Sequence, residues 1–265
     1  QKTAYEIYQC DWSSDVCSSD LIMLRKEFTP KKDSVNFQFM PLSVLGFGML
    51  DLPEEHLTFI KKSVDKIVDS PDQIPYNSVL AGHIETELAF TETLPESFQD
   101  FINKISKEYF YQAGALHLAE KQYQVGKSSI FYGDEQANDM WINVQKKGEY
   151  NPVHCHDGML SFVVWIKVPF TMDDEKDVPG GRKNRNLNAG FDFHFASNLH
   201  PSGLITTPLP VDKTFEGKMI IFPSWLNHSV SPFYSTDDVR ISVAGNIRFT
   251  GQENSFSKKP QTITI

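Results

Sequence analysis

The stretch Asn151-Pro152-Val153-His154-Cys155-His156-Asp157-Gly158 carries two histidines two residues apart. On an extended strand, residues two apart face the same side. Both imidazoles then converge on one point, which suits a transition metal. Cys155 faces the other way. Asp157 does too, unless the chain turns at Gly158; its carboxylate is then the alternative ligand, with His156 displaced. A third histidine, His228, follows 74 residues after His154 and starts a strand behind the aromatic turn Phe222-Pro223-Ser224-Trp225. Arg240 and Ser242, again two apart, share a strand face. A guanidinium fork beside a hydroxyl suits a carboxylate gripped bidentately in a partly buried site. Each signal alone has a plain structural reading, as satisfied histidines or a surface salt bridge. Their order and spacing together are more specific than any one of them.

These residues need strands to hold them, and the second half of the chain is written as strands. Trp141–Gln145 alternates, Leu160–Val168 is rich in β-branched and aromatic residues, and Phe191-Asp192-Phe193-His194-Phe195 has a clean period of two. Met219–Phe222, Ser229-Val230 and Val239–Phe249 follow, separated by turns rich in Gly, Pro, Asp and Asn. Many short strands in series without intervening helices predict a sandwich or barrel. The first half reads as helical. Pro53-Glu54-Glu55 suits a first helical turn, and Leu57, Ile60, Val64, Ile67 and Val68 repeat at helical spacing. A second helix is predicted from Pro95 and is extended past Gly114 to Tyr123. Trp141, Trp165 and Trp225 are expected in the core or a pocket wall, and His194 in a structural role. The charged, glycine-paired segment 171–190 reads as a surface insertion, or more sharply as a lid.

The chain has 265 residues, with 25 Lys and Arg against 34 Asp and Glu, a net charge of −9. That acidic balance argues against a nucleic-acid scaffold, although Arg182-Lys183-Asn184-Arg185 is locally basic. No apolar run reaches the ~18–20 residues that span a bilayer. The peptide from Asp11 to Leu21 resembles a widely used DNA-sequencing adapter read in one frame, so residues 1–21 are expected to be non-native and set aside like a tag. They hold Lys2 against Glu6, Asp11, Asp15 and Asp20, which leaves −6 for the remainder. Cys10 and Cys17 fall in the same segment. Cys155 alone remains, which excludes an intrachain disulfide framework and fits a reducing, cytoplasmic compartment. The native start is expected at Met23, or else the true N-terminus is missing. The organisation expected is one domain over 22–265: a helical part at 22–138, a β core at 139–250 and a tail at 251–265.

The ordered set His-x-His, distal His and Arg-x-Ser resembles the iron(II)- and 2-oxoglutarate-dependent oxygenases. The wording is similar to a subgroup from phages of marine cyanobacteria and from marine bacteria. It is carried by Asn151–His156, Gly158, Ser161-Phe162-Val163, Phe222-Pro223-Ser224, Arg240-Ile241-Ser242 and Gly245-Asn246. The resemblance spans roughly Trp141 to Phe249. It implies an α+β, mainly β fold: a double-stranded β-helix (jelly roll) with the N-terminal helices packed outside. It also implies Fe(II) as metal, 2-oxoglutarate and O2 as cosubstrates, and a hydroxylase-type dioxygenase. By the same resemblance His154, His156 and His228 hold the metal, Arg240 and Ser242 bind the far carboxylate of 2-oxoglutarate, and Asn143 adds a contact. His156 stands where that superfamily usually has a carboxylate. The substrate stays open between a free amino acid, a protein side chain and a sugar derivative. Two other readings compete: a cupin-like metalloenzyme that does without 2-oxoglutarate, and a non-catalytic jelly-roll module whose histidines are structural.

Overall fold

The computed structural model describes residues 37–42, 45–125, 139–178, 188–196 and 203–250. They belong to one compact unit, Val35–Ile265. Twelve strands and three helices are found among the described residues. The N-terminal elements are β1 (Phe37–Leu42), β2 (Leu45–Asp51), α1 (Glu54–Val68), β3 (Thr86–Ala89), α2 (Glu96–Gln112), α3 (Leu116–Ala119) and β4 (Tyr123–Val125). The β-rich part supplies β5 (Met140–Gln145), β6 (Asn151–His154), β7 (Leu160–Lys167), β8 (Phe191–Ala196), β9 (Leu204–Leu209), β10 (Lys218–Pro223), β11 (Asn227–Val230) and β12 (Arg240–Phe249).

The strands form two antiparallel sheets. The larger has the order β1-β2-β10-β7-β12-β5-β3, with β4 also pairing β12; the smaller has the order β6-β11-β8-β9. From β5 to β12 the chain passes back and forth between the sheets, so the central strands of the larger one come from β5, β7, β10 and β12. That winding is a double-stranded β-helix, a jelly roll, in an α+β, mainly β chain. Closing two sheets against each other buries their facing sides without long crossovers.

Two clusters of apolar side chains follow from strand alternation. Outward-facing Ile142, Phe162, Val164, Met219, Ile221 and Val243 pack with Ile60, Val64, Phe98, Ile102 and Ile105 of the helices. Inward-facing Trp165, Ile220 and Phe222 pack with Phe191, Phe193 and Leu226 of the smaller sheet and its turns. Strands β7 and β10 are therefore covered on both faces, and they read as nearly unbroken apolar runs for that reason. Helices α1 and α2 start behind Pro53 and Pro95, with Glu54, Glu55 and Glu96 in their first turns.

Some details differ from the sequence reading. The part expected to be helical also contributes β1 to β4, which widen the larger sheet. The second helix stops at Gln112; Gly114 takes a φ of 73°, and Tyr123 belongs to strand β4. Burial explains the error: Tyr123 is buried in the same cluster as α2, so its apolar character marks packing rather than helix. Trp141 and Trp165 are buried, but Trp225 is 48% exposed in the turn between β10 and β11. Residues 179–187, including the basic patch, lie outside the described residues. The described part of that loop is anchored by Glu175, fully buried, whose carboxylate accepts from the backbone N–H groups of Tyr234 and Ser235. Among the described residues no helix is long and apolar enough to cross a membrane.

Candidate active site

A cavity of about 460 Å3, counting space open to solvent, lies between the sheets. Its walls carry His154, His156, His228, Asn143, Arg240 and Ser242, all six residues singled out from the sequence. His194 is not among the lining residues; its ring is held between Thr206 and Ser229.

The three histidines reach one point from two adjacent strands and a loop. His154 ends β6 and is the direct cross-strand partner of His228 on β11. His156 lies just beyond β6, where its backbone N–H donates to Ser224 O at 2.8 Å. One nitrogen from each of the three rings lies within 4.8 Å of the others. Backbone carbonyls set two of the tautomers. The Nδ1–H of His154 donates to Pro152 O (2.7 Å) and that of His228 to Leu226 O (2.9 Å). A carbonyl can only accept, so each Nε2 keeps its lone pair free for a metal. Burial lowers all three pKa values, that of His156 to about 3, so the rings are neutral and ready to ligate at pH 7. Phe191 stacks on His228 at 5.2 Å and Trp141 leans on His156 at 5.2 Å, which fixes the ring planes.

Asp157 is exposed and is not in this cluster. The turn expected after it is present, since Gly158 has a φ of 114°, but it does not bring the carboxylate to the histidines. A side chain at 158 would also crowd Ile247 O and Ser224 Oγ at 3.1 and 3.3 Å. Behind this turn, Ser161 Oγ, Ser224 Oγ, Asn246 and Asp139 form a buried hydrogen-bonded chain that ties the loop to β12.

Arg240, at the start of β12, is 3% exposed. Its Nε and Nη2 both donate to Gln145 Oε1 (3.0 and 2.6 Å), Nη1 donates to Ala189 O (2.8 Å) and Nη2 also to Ser231 O (3.2 Å). Phe170 and Phe233 lie 5.9 and 5.7 Å from the guanidinium carbon. Burial pulls its pKa down to about 10, against the upward pull of Glu175, so it stays cationic at neutral pH. Among the described residues no carboxylate is in ion-pair contact with it. A buried cation held by neutral acceptors is receptive to an anion arriving from the cavity. Ser242 lies on the same face as the direct cross-strand partner of Asn143, and Asn143 Nδ2 is 3.4 Å from Ser242 Oγ.

Gln145 and Glu175 had no place in the sequence reading. Gln145 was findable: it is two residues after Asn143 on an alternating strand, so it faces the same side. Glu175 was not, because nothing in a charged loop distinguishes one buried acid.

Comparison with known proteins adds a family. Residues 139–246, under half of the chain, match the model of a family described as "Putative 2OG-Fe(II) oxygenase". The match supports placing the jelly-roll part in the 2OG-Fe(II) oxygenase superfamily. It implies Fe(II) and 2-oxoglutarate, and His154, His156 and His228 form a donor set able to hold that iron. No curated protein matches the chain. Similar solved structures include a prolyl-4-hydroxylase from Pseudomonas putida, 13% identical, with 77% of this chain and 92% of that one covered and a TM-score of 0.46. A 2OG-Fe(II) oxygenase family oxidoreductase from Burkholderia pseudomallei is 15% identical, with 76% and 84% covered and a TM-score of 0.41. A prolyl hydroxylase from Trichoplax adhaerens, in complex with a hypoxia inducible factor oxygen degradation domain peptide fragment, is 12% identical, with 77% and 82% covered and a TM-score of 0.42.

Proposed function

We propose that this chain is an Fe(II)- and 2-oxoglutarate-dependent dioxygenase that hydroxylates a substrate bound in the cavity between the sheets. The observation that carries this reading is the pairing, in one cavity, of three neutral convergent imidazoles with a buried arginine that has no contacting counter-ion among the described residues.

In this reading His154, His156 and His228 hold the iron, and His156 takes the position of the superfamily's carboxylate. When bound, iron with 2-oxoglutarate supplies O2-driven oxidation of a C–H bond, coupled to decarboxylation of the cosubstrate to succinate. The protein contributes the rest. Arg240 receives the remote carboxylate, and its existing bonds to Gln145, Ala189 and Ser231 hold the guanidinium in place beforehand, so little ordering is left for binding. Ser242 and Asn143 add a hydroxyl and an amide between Arg240 and the histidines. With three neutral ligands, the metal's charge is balanced by the anionic cosubstrate rather than by the protein. Phe191, Trp141, Val163 and Trp165 supply apolar walls around those polar contacts. A reducing, cytoplasmic location and the marine-phage subgroup belong to the same proposal.

An all-histidine donor set also fits a cupin-like dioxygenase that needs no 2-oxoglutarate, in which Arg240 is structural. Anaerobic titration with Fe(II) and then 2-oxoglutarate separates the two. The expected result is a weak visible charge-transfer band that fades in Arg240→Ala. Iron binding without a band transfers the proposal to the cupin-like reading, and no iron binding leaves a jelly-roll module with structural histidines.

A further inference from the structure

Four buried side-chain atoms among the described residues have no hydrogen-bond partner, and three of them are oxygens of neighbouring residues: Glu87 Oε1, Asn143 Oδ1 and Asn151 Oδ1. Glu87 on β3 is the direct cross-strand partner of Asn143 on β5, so both face the same side of the sheet. Gly82 joins the other two. A Cβ built there would sit 2.5 Å from Asn151 Oδ1 and 2.7 Å from Glu87 Oε1. Any side chain at position 82 would therefore collide with both oxygens, and glycine is the residue that fits beside them. Asn143 and Asn151 line the cavity with the histidines, and Glu87, fully buried, stands behind them. The second carboxylate oxygen of Glu87 accepts from Asn77 Nδ2 at 3.3 Å. Among the described residues no cation pairs with this carboxylate, and the charge that acts on it is another acid, Glu149.

With Glu87 ionised, all three orphan atoms are acceptors. A buried acceptor without a donor is costly, so this wall calls for donors that arrive with a ligand. A primary ammonium has three N–H donors, no acceptor, and a positive charge to match the one carboxylate. A sugar hydroxyl brings no charge, and an anion would be repelled.

We propose that Glu87, Asn143 and Asn151 form a subsite for a protonated primary amine, which makes the substrate an amine such as a free amino acid or a lysine-type side chain. The term substrate rests on the oxygenase reading; the amine subsite does not. Asn143 then turns its amide nitrogen to Ser242 and its oxygen to the amine, and links the two ends of the cavity.

A protein-only solution also exists: rotation of the Asn151 amide would let Nδ2 donate to Glu87 Oε1. The test distinguishes them. n-Butylammonium, tetramethylammonium and n-butanol are titrated into the full chain without iron, read by saturation-transfer NMR and calorimetry. The expectation is that n-butylammonium binds at least about tenfold tighter than the other two. Glu87→Gln should weaken n-butylammonium by about tenfold or more and leave n-butanol unchanged, with the melting transition retained. Asn151→Asp, which adds a second charge, should tighten it by a similar factor. Equal binding of the three probes, or no change on Glu87→Gln, overturns the proposal. So does an Asn151→Asp variant that melts earlier without tighter binding, the result expected if the Asn151 amide serves Glu87. The iron–2-oxoglutarate band is recorded on the native protein and on Glu87→Gln. A band without amine discrimination defeats the subsite alone, and amine discrimination without a band defeats the oxygenase reading alone.

Discussion

The two faces of the larger sheet are made by the same strands and do opposite work. On β5 the outward side chains are Met140, Ile142 and Val144, all packed against the helices. The inward ones are Trp141, Asn143 and Gln145, all in the cavity wall. Every residue of this strand is buried, so burial does not tell the faces apart. Polarity does. The outward face is apolar throughout and gains stability from area and packing alone. The inward face keeps amides, imidazoles and a guanidinium out of water at a cost in folding free energy. Some of that cost is offset by bonds within the protein, as at Arg240 and Gln145. The part that is not offset, at Glu87, Asn143 and Asn151, is where the proposed amine subsite places ligand donors.

If the faces are independent in this way, damage to one should spare the other. Phe162→Ala on the outward face should cost about 3–5 kcal/mol of stability by denaturant unfolding. The iron–2-oxoglutarate band per folded molecule should stay the same. A lost band in a folded Phe162→Ala protein would show that the faces are coupled.

Arg240→Ala strikes the inward face. It should weaken 2-oxoglutarate binding by about 30- to 1000-fold, or roughly 2–4 kcal/mol, because it removes a buried hydrogen-bonded charge. Iron binding alone should be unaffected. Calorimetry with each ligand separates the two effects.

The pH dependence of Glu87→Gln sharpens the contrast further. Burial and the nearby Glu149 push the Glu87 carboxyl up from 4.5 to about 7. The unfolded chain therefore ionises first, and ionisation opposes folding increasingly from pH 4.5 to about 7 and by a constant amount above that. Removing the charge should then stabilise the ligand-free protein at pH 8 relative to pH 5 by about 1–3 kcal/mol. A stability difference between variant and native protein that does not change with pH would mean the carboxyl is not buried in its charged form.

The smallest effect is expected at Asp157. Asp157→Asn should leave iron affinity within about 0.5 kcal/mol of native, as for an exposed position away from a site, whereas His156→Ala should remove binding. The reverse pattern would make Asp157 the ligand.

Period-two alternation revealed β5 and β8, and apolar, β-branched and aromatic runs bounded by turns revealed β7, β10 and β12. These patterns missed β1 to β4, and the short β6 and β9. Residues in β1 to β4 sit in a stretch dominated by two amphipathic helices, and β9 alternates only between exposed and half-buried positions. The three histidines and the Arg-x-Ser pair were legible because residue type, same-face spacing and order coincide. Glu87, Asn151, Gln145 and Glu175 carry no such pattern. Glu87 looks like any charged residue in Glu85-Thr86-Glu87, yet Glu85 is exposed and paired with Lys146 while Glu87 is fully buried.

By itself, the sequence determined the class of the fold, the donor types and the strand faces on which they lie, since alternation and residue chemistry are local properties. Only the tertiary structure decided which of His156 and Asp157 turns inward, which acids are fully buried, and how Arg240 is held. Those outcomes depend on the register between strands more than 70 residues apart, such as His154 against His228, and on contacts that close only when the two sheets meet.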